Sequence, residues 1–208
     1  MDELGDWIRE RWPWLAGAAL VAGLAGMAWN DRAIAQPPGV LAPAEPVQGP
    51  PSSSEPWPFR GHRIVPLARF ELTARVLGVE RYRFDRAAEL SPVDLALGWG
   101  PLSDSRVLAA LSISQRDRWY FWSAGDLPVS APDIIGHSAN MHMIPASPGV
   151  ARALKGVRVG QLVTLQGQLV RAEGADGWRW VSSLTRTDTG DGSCEVIWVE
   201  SVRTADRI

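Results

Sequence analysis

Along residues 69–84, RFELTARVLGVERYRF, apolar and polar positions alternate with the period of a strand. Phe70, Leu72, Ala74 and Val76 share one face, and Tyr82 and Phe84 resume it. Leu77 and Val79 are apolar on the other side of Gly78, which predicts a long strand that bulges and changes its buried face. In residues 161–170, QLVTLQGQLV, the positions Val163, Leu165, Gly167 and Leu169 point inward, and Thr164, Gln166 and Gln168 point to water. Asp176-Gly177 is a hairpin signal leading to a strand with Trp178, Trp180 and Ser182 on one face. Residues 196–199 are apolar on both faces, so 194–202 predicts a central, covered strand. A further hairpin is expected in 111–122, turning at Gln115-Arg116-Asp117.

Helix signals are short. Ser91 with Pro92 offers a cap and a first helical residue, Asp104 can cap a turn through Val107 and Leu108, and Ser147-Pro148 opens 149–155. The expectation is a mainly β fold with short helices: a small OB-like barrel first, a β-sandwich second.

Two segments precede this domain. Residues 12–29, WPWLAGAALVAGLAGMAW, carry no charge and are bracketed by tryptophans, the pattern of one membrane-crossing helix. Arg9 and Arg11 against Arg32 place the N-terminus (1–11) in the cytoplasm and the C-terminal domain in the periplasm, by the positive-inside bias. A cleavable signal peptide ending at Ala33-Ile34-Ala35 is the competing reading. Ala18, Ala22 and Gly26 form a small-residue row that could pair two such helices into a homodimer. Residues 30–58 hold eight prolines and read as a polyproline spacer, unable to join a helix or a sheet ladder, which sets the domain at 59–208.

A net charge of -2 gives no basic field for phosphate backbones, so no nucleic acid is expected. The single cysteine, Cys194, excludes an internal disulfide. Of the 11 tryptophans, seven lie beyond the 12–29 segment, and most of those are expected in the core.

The densest polar cluster is HSANMHMIPA, residues 137–146. His137 and His142 point to opposite faces on a strand and diverge on a helix, so only a loop would let them converge as metal ligands. No HExxH motif or neighbouring carboxylate completes a ligand set, and no metal or cofactor is expected. Asp188-Thr189-Gly190 matches the aspartic-protease tripeptide but lacks a second copy and reads as a turn. Cys194 with a histidine and Asp188 can be written as nucleophile, base and orienter, yet no spacing brings them together, and Glu195 opposes a thiolate. If the 137–146 and 186–195 loops meet, Asn140, His142, Arg186 and Asp188 line one pocket, with His137 beside it.

LGWGPLSD (97–104), HSANMHMIPA (137–146) and RTDTGDGSCE (186–195) resemble segments of an uncharacterised group of proteobacterial membrane-anchored proteins. The resemblance extends over roughly residues 68–202. It implies inner-membrane anchoring and these domain boundaries, and carries no catalytic residue over. The resulting expectation is a non-catalytic extracytoplasmic module that binds an envelope protein or envelope component. The alternative is a metal- or cofactor-binding protein or enzyme using the 137–142 segment.

Overall fold

A computed structural model describes residues 32–186, 188, 190 and 192–206, together with 12, 14, 16, 17, 20 and 21. The last six positions are helical. Among the described residues no helix is long and apolar enough to cross a membrane. Most of the 12–29 segment, including Ala18, Ala22 and Gly26, lies outside the described residues, as do Arg9 and Arg11. The chain divides into two units, 1–33 and 34–208.

The second unit is mainly β with a few short helices. Its strands are β1 (Val47–Gly49), β2 (Trp57–Phe59), β3 (His62–Arg81), β4 (Val93–Gly98), β5 (Ser112–Arg116), β6 (Trp119–Ser123), β7 (Ser138–Pro145), β8 (Leu162–Gly174), β9 (Arg179–Val181) and β10 (Glu195–Ala205). The helices are α1 (Ser105–Leu108), α2 (Ala131–Gly136) and α3 (Pro148–Lys155). β3 pairs antiparallel with β4, β4 with β7, β10 with β8 and β8 with β3, while β7 and β10 run parallel. The succession of pairings thus starts and ends at β3. β5 and β6 form a separate hairpin.

Strand alternation places the main core. Phe70, Leu72, Ala74 and Val76 of β3 pack with Leu95 and Leu97, Met141 and Met143, Val163 and Leu165, and Ile197 and Val199. The β3 register shifts between Val76 and Gly78, the bulge that the face change predicted. A Cβ at Gly78 would sit 2.3 Å from Gln115 Oε1, so the missing side chain admits Gln115. A second cluster on the opposite face gathers Ile64, Ile144, Val170 and Val196 under Trp57, Trp178, Trp180 and Trp198. Trp57 and Trp198 meet edge to face at 5.2 Å between centroids, and Trp178 and Trp180 are tilted at 6.1 Å.

Five expectations are corrected. The Ser91-Pro92 helix is absent: Ser91 Oγ donates to Val93 O (3.2 Å) instead of capping a helical N–H, and 93–98 form β4, buried on both faces. Pairing with β3 and β7 overrides the helix preference of its Ala and Leu residues. The 138–145 stretch is a strand, not a loop, because it fills the place between β4 and β10. The hairpin turns at Asp117-Arg118, both at positive φ, one residue beyond the expected turn. Phe84 does not rejoin the core face but stands exposed.

The fifth correction concerns 36–58, which packs on the domain instead of standing off it. Ile34 N–H donates to Val159 O (2.8 Å), and the Leu41 and Ala42 N–H groups donate to Ser103 Oγ. Gly100 N–H donates to Ala42 O (2.8 Å), and Trp99 Nε1–H donates to Glu45 Oε2 (2.8 Å). β1 and β2 then pair along β3. Gly160 permits the first contact, since at φ +87° a Cβ there would lie 2.0 Å from Ile34 O. Proline removes its own donor but leaves its carbonyl and its neighbours' N–H groups available. The compact boundary accordingly lies near residue 34, not 59.

Candidate functional site

Three elements converge on a cavity of about 160 Å³. β6 supplies Trp119, Tyr120 and Trp122, β7 supplies Ser138 to Asn140, and the run from 185 into β10 supplies Arg186, Asp188, Cys194 and Glu195. Trp99, just beyond β4, completes the aromatic wall. Asn140 holds the hairpin against β7: its Oδ1 accepts from Gln115 Nε2 (2.7 Å) and its Nδ2 donates to Arg118 O (3.0 Å).

Glu195 and Arg186 form the charged floor. Glu195 opens β10 and is almost fully buried, and Arg186 pairs with its Oε1 while lying over the Phe70 ring. Glu195 Oε2 and Arg186 Nη2 are buried without a hydrogen bond among the described residues. Burial pushes the Glu195 carboxyl up to about 7, with Arg186 opposing and Asp188 reinforcing the shift. Asp188 Oδ2 accepts from Ser183 Oγ (2.6 Å). Burial, then Glu195, pushes the Cys194 thiol up to about 12, which opposes thiolate chemistry.

His142 does not line this cavity. It lines an adjoining groove of about 350 Å³ with Arg118, Trp119, Trp180 and Cys194. Its Nδ1 is 2.9 Å from Asp94 Oδ2, and its ring lies 4.6 Å from that of Trp180. Arg118 donates to Asp94 Oδ1 (2.8 Å), Ser91 O (2.9 Å) and both Asp85 oxygens, and covers the Tyr82 ring at 3.6 Å. His137 lies outside both hollows, capping α2, with Nδ1 2.8 Å from Asp133 O and Nε2 3.1 Å from Glu45 Oε1.

Of the five candidate residues, then, Asn140, Arg186 and Asp188 share a cavity, His142 faces the groove beside it, and His137 secures the 36–58 segment. Thr187, Thr189 and Asp191 lie outside the described residues. Asp94 and Arg118 escaped sequence reasoning. A lone carboxylate inside the apolar run VDLALG signals a buried charge with a distant partner, whereas nothing local marks Arg118 as that partner. Among the described residues no group of three or more His, Cys, Asp or Glu is placed to hold a metal ion. No family model, curated protein or solved structure matches the chain.

Proposed function

We propose that this chain is a non-catalytic, membrane-tethered extracytoplasmic module that binds an envelope protein or envelope component in the cavity lined by the β5–β6 hairpin, β7 and the start of β10. The carrying observation is the convergence of indole rings, one guanidinium and two carboxylates on one half-open cavity. Anchoring is supported by the uncharged, tryptophan-bracketed 12–29 segment and by Arg9 and Arg11 before it. The scaffold reads as a small OB-like barrel. Each of β3, β4, β7, β8 and β10 has neighbours on both sides, the third and fifth of them run parallel, and α3 precedes the fourth. A sandwich of two sheets would leave free edges along this path.

The test is capture from envelope extract by the full-length chain, cross-linked in place. Trp122→Ala and Asp188→Ala should lose the captured species while remaining folded, and Asp188→Ala, at an exposed position, should keep stability within about 0.5 kcal/mol. Undiminished capture by both variants overturns the reading.

One observation favours the enzyme or cofactor alternative: His142, backed by Asp94, lines a groove that also contains Cys194. Elemental analysis and an absorbance spectrum of the purified chain decide it. Stoichiometric metal or a cofactor band, lost in His142→Ala, would replace the binding-module reading.

A further inference from the structure

Glu195 Oε2 is a buried acceptor with no donor, and Nη2 of Arg186 beside it is a buried donor with no acceptor, among the described residues. The Glu195 side chain is only 2% exposed. Folded proteins rarely strand such groups, and where the orphans line a cavity, water, an ion or a ligand can supply the missing partners. Both residues line the cavity, so a group that satisfies them offers a donor and an acceptor on one short edge. Asp188 adds a second carboxylate against the one guanidinium, which favours a positively charged donor. Trp119 and Trp122 add indole surface that attracts a cation and covers an apolar chain.

We propose that the cavity receives the free amino end of an aminoacyl group, its ammonium against Glu195 and Asp188 and its carbonyl oxygen against Arg186. In such a group the nitrogen and the oxygen are separated by two carbon atoms, matching a neighbouring acceptor and donor. This rests on the binding-module reading and names the chemistry that the module recognises. Two sources present the same edge, a free amino-acid derivative and the amino terminus of a polypeptide.

The experiment is calorimetric titration of the full-length chain in mild detergent with leucinamide, N-acetylleucinamide, 4-methylpentanamide and leucyl-alanyl-alanine amide. Leucinamide should bind, and the acetylated and amine-free compounds should bind about tenfold more weakly or worse, the expected loss of a charged hydrogen bond. Equal binding of the tripeptide amide assigns the site to polypeptide amino termini, and a loss of about tenfold assigns it to free amino-acid derivatives. Glu195→Gln should weaken leucinamide about tenfold and narrow its advantage over the acetylated form. Should that variant not fold, Asp188→Asn serves, weakening leucinamide but not N-acetylleucinamide. Equal affinity for leucinamide and its acetylated form overturns the proposal, as does failure of all four probes to bind. Either failure is distinct from failure of the binding module itself, which is read independently from capture by the Trp122 and Asp188 variants.

Discussion

His142 Nδ1 and Asp94 Oδ2 lie 2.9 Å apart on neighbouring strands β7 and β4, with both side chains buried. On the other oxygen of Asp94, the Arg118 guanidinium arrives from the β5–β6 turn. One buried carboxylate thereby ties two strands to a hairpin.

His142→Ala removes a buried ring that lies 2.9 Å from Asp94 Oδ2 and 4.6 Å from the Trp180 ring. The expected cost is about 1–3 kcal/mol, the usual range for emptying a packed buried site, read from urea unfolding. Capture by the remaining folded fraction should match wild type, since His142 is not among the residues lining the cavity. Lost capture at unchanged stability would instead place His142 in the binding surface.

Residues 36–56 should contribute measurably to stability. Chains beginning at Ile34 and at Trp57 should differ in Tm by at least about 5 °C, because the shorter one loses the Ser103 and Glu45 contacts and β1. Equal melting temperatures would restore the free-spacer description.

Glu195 sets a pH dependence. Its folded value of about 7 lies above its ordinary 4.5. Between the two, the folded chain holds a proton that the unfolded chain has released. Stability from this group is therefore complete below about pH 4.5 and declines as pH rises toward about 7. The groups around it are Arg186, Asp188 and Cys194. Glu195→Gln removes the titration, so its stability relative to wild type should rise across that window by on the order of 3 kcal/mol. Denaturant unfolding at several pH values checks this, and parallel profiles would refute it.

Orientation has its own test. The proposed cytoplasmic N-terminus predicts that alkaline phosphatase joined after Ile208 is active and β-galactosidase inactive. The reverse pattern would remove the extracytoplasmic assignment.

Legibility in the sequence followed burial geometry. β3 and β8 each have a wet and a dry side over much of their length, so Phe70 to Val76 and Val163 to Leu169 announced themselves by alternation. β4 and β7 are covered on both faces and carry no alternation to find. Their polar residues also look like surface chemistry in any local window. Asp94 and Asn140 find Arg118 and Gln115 more than twenty positions away, and these contacts turn an apparent loop site into buried anchorage. The cavity was partly legible because Asn140, Arg186 and Asp188 come from the two polar stretches expected to meet. The indoles of β6 and the buried floor at Glu195 depend on where the hairpin docks, a relationship invisible in one dimension.

The strand order also dictates a chronology for synthesis. β10 lies between β7 and β8, although it emerges after both, and β3 must wait for β8 before Ala74 meets Val163. Pairings this distant in sequence close slowly, on the order of milliseconds to seconds. Until residues 195–205 arrive, β7 and β8 present unpaired backbone to whatever is nearby, which is the condition under which sheets associate wrongly. A chain terminated just before Glu195 would keep most of its apolar residues and still lack the segment that insulates those edges, so such truncations should accumulate as aggregates rather than as smaller folded domains.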